Sequence, residues 1–206
     1  MARSIYNDAV FSNIHSEGQL LPLDTLQRIV SKDKSVEGIS EEQYGLYGDN
    51  LGEAINQAWT SMRNAWRKFS IQRQKLAQAE KGTTLTRSHL LLPLFEKLGY
   101  GQLSQAKAEE RQVTLPDGRQ LSYPISHFRY ESPIHLVSFK VSLDSKTAGE
   151  TGASRQSPHS LVQEFLNRSD DHLWGFVSNG LILRVLRDNA SFSRQAYVEF
   201  DLEGIF

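Results

Sequence analysis

Residues 157–206 read SPHSLVQEFLNRSDDHLWGFVSNGLILRVLRDNASFSRQAYVEFDLEGIF, and this stretch decides the fold. Pro158 suits a first helical turn, where its missing N–H costs nothing. Leu161, Val162, Phe165 and Leu166 recur at the spacing of one apolar helical face, and the polar run Asn167, Arg168, Ser169, Asp170, Asp171 stops the helix. Leu173 to Ser178 is an apolar run rich in β-formers. Asn179-Gly180 is the strongest short hairpin signal in the chain. Leu181, Leu183 and Val185 alternate with Ile182, Arg184 and Leu186, and Arg187, Asp188 and Asn189 close that return strand. Gln195 to Leu202 supplies a third strand, with Ala196, Val198 and Phe200 on one face and Tyr197, Glu199 and Asp201 on the other. The unit is one helix followed by three strands. Leu161, Phe165, Trp174, Phe176 and Leu183 are expected in its core.

Upstream, the apolar period is again two residues. Ile134 to Val141 is apolar enough for a central strand, and Leu121 to Phe128 for its neighbour. Gln112 to Leu115 is a shorter strand, separated from Leu121 by the tight turn Pro116-Asp117-Gly118-Arg119. Asp144 to Gln156, with Gly149 and Gly152, is a polar loop. Before the strands, Arg87 to Leu98 reads as a helix capped by Thr86, bent at Pro93 and closed by Gly99. A long helix runs from Asn50 to about Ala79 on the stripe Leu51, Ala54, Ile55, Ala58, Met62, Ala65, Trp66, Phe69. Arg63, Arg67, Lys68, Arg73 and Lys75 form much of its other side, and Trp59 and Trp66 are expected as core anchors. Asp24 is the expected N-cap of a short helix Thr25 to Val30, and residues 1–20 are an extended lead-in.

Glu80 to Thr84 is the best boundary: charged residues, then a glycine, then two capping residues. The expected organisation is therefore a helical portion over residues 1–81, with its long helix at about 50–79, and an α/β domain over 82–206. The fold class is α/β (α+β), a mixed sheet with flanking helices. It is compatible with a restriction-endonuclease-like core and equally with other α/β sandwiches.

Composition narrows the chemistry. Among 206 residues, 23 Lys and Arg stand against 24 Asp and Glu, a formal net charge of −1, so any hold on nucleic acid needs a local basic face. The absence of cysteine removes disulfides, zinc–thiolate sites and thiol nucleophiles, and agrees with a cytoplasmic protein. No secretory signal or membrane span is legible.

A nuclease of the restriction-endonuclease type holds magnesium with two acids and orients water with a lysine, on an acid–any–lysine strand. The strand is present as His135-Leu136-Val137-Ser138-Phe139-Lys140, with Ser138 where the acid belongs. Glu131 lies before it and Asp144 after it. A core that is one carboxylate short fits a degenerate version of the domain better, and Glu131, Lys140 and Asp144 are the candidate set for the alternative, an atypical magnesium endonuclease. The six histidines show no metal-ligand spacing, and no glycine-rich phosphate cradle is present. Ser157-Pro158-His159-Ser160 reads as a helix cap. The cationic candidates for DNA are Arg63, Arg67, Arg155, Arg168, Arg184 and Arg187. Arg184 and Arg187 face opposite sides of a strand, leaving one to pair with Glu199 or Asp188.

The stretches LTRSHLLLPLFEKLGYG (85–101), YPISH (123–127), PIHLV (133–137), Leu143-Asp144, residues 157–189 and AYVEFDLEGIF (196–206) resemble the N-terminal region of large bacterial restriction-modification and phage-defence DNA methyltransferases. The adenine-N6 methylases of DISARM type, related to the single-chain type IIG and IIL enzymes, are the nearest in kind. LLPLDTLQRI (20–29) and LGEAINQAWTSMRNAWRKF (51–69) extend the likeness over nearly the whole chain. Such enzymes carry a cofactor-binding glycine motif and an Asn/Asp-Pro-Pro-Tyr/Phe catalytic motif downstream. Neither occurs here, so S-adenosylmethionine and methyl transfer attach to no residue of this chain. The family's sequence is expected to continue past Phe206.

What the resemblance implies is a non-catalytic N-terminal module with no cofactor of its own. Its expected partners are duplex DNA and the catalytic methyltransferase domain or other defence-system subunits, with no membrane. The alternatives are the magnesium endonuclease just described and a protein–protein interaction module, which would leave apolar surface exposed near Phe206.

Overall fold

A mixed sheet lies between helices in the computed structural model, which describes residues 11–18, 20–46, 50–188 and 196–206. Residues 1–10, Asn189 and Gln195, read above as lead-in and strand ends, lie outside the described residues. In chain order the elements are β1 (Ile14–Glu17), α1 (Leu23–Val30), α2 (Leu51–Lys75) and a helical run 83–100, here α3. Then come β2 (Ser104–Gln105), β3 (Gln112–Thr114), β4 (Gln120–Ser122), β5 (His127–Arg129) and β6 (Ser132–Leu136). The chain continues with α4 (Pro158–Arg168), β7 (Trp174–Ser178), β8 (Ile182–Arg187), β9 (Tyr197–Asp201) and α5 (Leu202–Ile205).

Seven strands pair in the order β1-β9-β8-β7-β6-β5-β2, and β3 and β4 form a separate two-stranded sheet. Every described pairing is antiparallel except β6 with β7. That pair needs a crossover, and α4 supplies it, as parallel strands require. Alternation sends side chains of one strand to both faces. On β7, Phe176 joins Met62 and Phe69 of α2, Leu90, Leu91 and Phe95 of α3, and Ile134 and Leu136 of β6. Its neighbour Val177 faces Val162 and Leu166 of α4. The small sheet covers the far side of α4, where Val113, Tyr123 and Ile125 pack with Leu161, Phe165 and Phe128. Phe69, Phe95 and Phe165 are fully buried, each a stabilisation of about 1.5–3 kcal/mol against exposure. Among the described residues no helix is long and apolar enough to cross a membrane.

The turn signals hold for physical reasons. Ser157 Oγ accepts the Ser160 N–H at 3.2 Å as the N-cap of α4, with Pro158 in its first turn. Asn179 Oδ1 accepts from the N–H groups of Leu181 and Ile182, at 3.0 and 2.9 Å. Gly180 takes φ +82°, and a Cβ there would lie 2.7 Å from Cγ2 of Thr86. The β7–β8 turn therefore needs glycine twice: for its left-handed backbone and for its close seat on α3.

Five expectations are corrected. The strand read as Ile134 to Val141 ends at Leu136. Val137 N–H still donates to the Ser178 carbonyl at 2.9 Å, and beyond it side chains replace the ladder: Ser138 Oγ donates to the Lys81 carbonyl at 2.5 Å, and Thr86 Oγ1 accepts the Phe139 N–H at 3.1 Å. The segment Leu121 to Phe128 is two strands in two sheets, because Pro124 between them lacks a ladder donor. Trp174 is not core. It begins a strand and is 39% exposed, with the Arg187 guanidinium 5.5 Å from its ring centroid. The long helix ends at Lys75 rather than Ala79, where Leu76 turns to extended backbone and packs on the core. Pro22, not Asp24, occupies the N-cap position of α1, and Asp24 sits in its first turn. Two further details were not anticipated. Ile14–Glu17 is an edge strand, and α3 carries a wide turn at Arg87–Leu91 that takes up the ring and missing donor of Pro93 without ending the run, and a second at Glu96–Tyr100 around the left-handed Gly99.

Candidate functional site

Lys140, Glu131 and Asp144 do not converge. The Lys140 ammonium donates to the carbonyls of Ala77, Gln78 and Glu80, at 3.2, 3.1 and 2.6 Å. It satisfies the segment that follows α2, where carbonyls have no helical partner. Glu131 is exposed at the β5–β6 hairpin tip, before the first residue of β6, whereas Lys140 follows its last. Ser138 occupies the acid position of the pattern and is 1% exposed, spent on Lys81. Among the described residues no three His, Asp or Glu side chains are grouped to hold a metal ion.

Asp144 belongs to a different constellation. Arg184, on β8, is 5% exposed. Its Nη1 and Nη2 donate to the two Asp144 oxygens at 2.6 and 2.8 Å, and its Nε donates to Glu199 Oε2 at 2.6 Å. The β8–β9 register puts Arg184 directly opposite Glu199. The Tyr197 ring lies 4.9 Å from the guanidinium carbon, and His159 Nδ1 lies 3.2 Å from Nη1. Burial opposes the Arg184 charge, but the hydrogen bonds to Asp144 and Glu199 outweigh it and raise its pKa. The Arg184 hydrogen bonds hold the Asp144 carboxyl below its ordinary value. Burial, helped by the Arg184 charge, pushes His159 down to about 4, so the imidazole is neutral near pH 7. Arg184 is thus corrected as a DNA contact: its donors are used inside the fold.

A second buried histidine clamps the polar loop. His135 Nε2 lies 3.2 Å from the Gly152 carbonyl oxygen, and a Cβ on Gly152 would sit 2.2 Å from the ring, so only glycine fits. Burial lowers His135 to about 3. Lys81 secures the same loop through the Gly149 carbonyl at 2.8 Å and Glu150 at 3.2 Å.

The remaining five candidate arginines are spread over the polar loop, the end of α4, the β8 end and α2. Arg155 is exposed in the polar loop. Arg168 pairs with Glu164 at 3.0 Å at the end of α4. Arg187 sits over Trp174 at the strand ends. Arg63 and Arg67 share a surface on α2. They flank a groove of about 530 Å³ along α2, closed on one side by Phe206. Among the described residues neither makes an ion pair. α2 carries Arg63, Arg67, Lys68, Arg73 and Lys75 against Glu53 alone, a net +4. With the whole chain at −1, every other residue together sums to −5.

The groove is aromatic as well as basic. Trp59 stacks on Phe206 with centroids 5.3 Å apart and planes 26° from parallel, and Trp66 lies 5.8 Å from the same ring. Trp59 is 40% exposed, so it is a surface shelf rather than the core anchor expected of it. Ile55 and Ile71 of α2 are also exposed. Only Met62 and Phe69 of the 25 residues of α2 are fully buried. The basic spacing of α2 was readable from sequence. The stacking of Phe206 on Trp59 was not, since it joins residues far apart in the chain. Against known protein families, curated proteins and solved structures, the chain finds no match.

Proposed function

We propose that this chain is a non-catalytic N-terminal module of a cytoplasmic phage-defence DNA adenine-N6 methyltransferase, and that α2 holds duplex DNA by its phosphates. The catalytic domain or other defence-system subunits are its protein partners, and S-adenosylmethionine belongs to that catalytic part. Its core is read as restriction-endonuclease-like and degenerate. What supports the core reading is a mixed sheet flanked by helices, with Ser138 in place of an acid and Lys140 turned onto backbone carbonyls. The observation that carries DNA contact is the pair Arg63 and Arg67, exposed, unpaired among the described residues and one helical turn apart on the most basic helix.

The test is fluorescence anisotropy with labelled duplexes of unrelated sequence. Binding is expected at low salt, indifferent to sequence, and weakening as salt rises. Replacing both Arg63 and Arg67 by Gln removes about two units from the log–log salt slope, near 0.9 per phosphate contact. No duplex binding at low salt ends the DNA reading. A protein-interaction module is the second reading. It draws on the exposed Ile55, Trp59 and Ile71, and duplex binding lost with the two arginines counts against it.

A further inference from the structure

We infer that the α2 groove takes single-stranded nucleic acid, with bases against Trp59 and phosphates on Arg63 and Arg67. This rests on the DNA-contact reading above and narrows it. A phosphate-tracking helix needs cations and nothing else, because a duplex keeps its base faces stacked inside. This groove offers more. Trp59 is backed by Phe206, which supports its indole in place while 40% of the residue stays in solvent. A supported, exposed aromatic plane is what an unpaired base stacks on, whatever its identity. Asn64 and Gln74 line the same groove. Their amides both donate and accept, so they can meet any base edge without selecting one.

Charge chooses among occupants. The lining contains two arginines and no Asp or Glu. Arg73, nearer the end of α2, is engaged with Glu203 at 2.8 Å, which leaves Arg63 and Arg67 as the cations that face the groove. An anionic partner with flat apolar faces satisfies both features together. A single strand has that chemistry.

The test uses the whole chain at low salt, titrated with an oligothymidylate and with a duplex of equal length. Tryptophan fluorescence and anisotropy are both read. The oligothymidylate is expected to quench the indole signal and to bind about tenfold tighter than the duplex, the scale of one stacked base. Trp59→Ala should abolish that preference in a chain that still melts cooperatively, Trp59→Phe should restore most of it, and Arg63→Gln with Arg67→Gln should weaken both DNAs. Equal or tighter duplex binding overturns the inference, as does a Trp59→Ala chain that keeps the preference. If the duplex binds through the two arginines and the single strand shows no advantage, the inference falls and the duplex reading stands. If neither DNA binds, both fall.

Discussion

The Arg184 guanidinium grips the Asp144 carboxylate through two hydrogen bonds, 2.6 and 2.8 Å long, while its third arm holds Glu199. One buried cation therefore ties β8, β9 and the polar loop together. Removing it strands Glu199, whose side chain is only 23% exposed. Arg184→Ala is expected to cost about 3 kcal/mol, the usual penalty for breaking a buried pair from one side. Asp144→Asn should cost under about 1 kcal/mol, because the Asp144 side chain is 67% exposed and Glu199 remains. Urea denaturation measures both, and near-equal losses would contradict this division.

Stability should fall in acid before the carboxylates titrate. His127, His135 and His159 are held by burial at about 4, 3 and 4, against 6.5 ordinarily. The unfolded chain therefore binds more protons than the folded one between those values, so stability rises with pH there and is fully present above about pH 6.5. Each histidine contributes on the order of 1 kcal/mol per pH unit inside the window. Thermal melts are expected to decline steadily from pH 6.5 toward pH 4, and His159→Gln should make the decline shallower. A flat profile would show that these imidazoles accept protons without cost.

Gly180→Ala should destabilise by about 2 kcal/mol, combining a left-handed backbone with a steric contact. The contact is Cγ2 of Thr86, 2.7 Å from the added carbon. Thr86→Ser removes that methyl and keeps the hydroxyl that accepts from Phe139 and donates to Gly82. The double variant is expected to recover part of the loss. Strictly additive losses in the double-mutant cycle would deny the contact.

Lys140→Met should lower stability by about 1 kcal/mol, since three carbonyls after α2 lose a charged donor. Plasmid incubated with magnesium or manganese is expected to remain supercoiled with the native chain. Nicking that vanishes in Lys140→Ala would revive the endonuclease set Glu131, Lys140 and Asp144.

The sequence made the local layer legible. The 3.6-residue stripe of α4, the Asn179-Gly180 turn and the alternation along β9 each depend on neighbours in the chain, and each is present. What escaped depended on distant partners. Ile14–Glu17 has no periodicity of its own and is a strand because β9 offers it an edge. The apolar run from Ile134 continues past Leu136, but hydroxyls of Ser138 and Thr86 take its backbone donors. Lys140 fits a catalytic spacing and serves as a carbonyl cap. Of the candidate arginines, the α2 pair was readable as a basic face. The burial of Arg184 needed Asp144, forty residues away in sequence, which no period reveals.

The pairing of β1 with β9 brings Ile14 opposite Phe200. During synthesis the first strand leaves the ribosome long before its partner exists. Until β9 arrives, β8 presents a bare edge and Ile14–Glu17 has nothing to zip onto. The sheet therefore completes at its β1 margin last, and this long-range closure is a slow step exposed to mispairing. A nascent chain halted before residue 197 should remain protease-sensitive along β1 and β8, and its release should be followed by protection of both together.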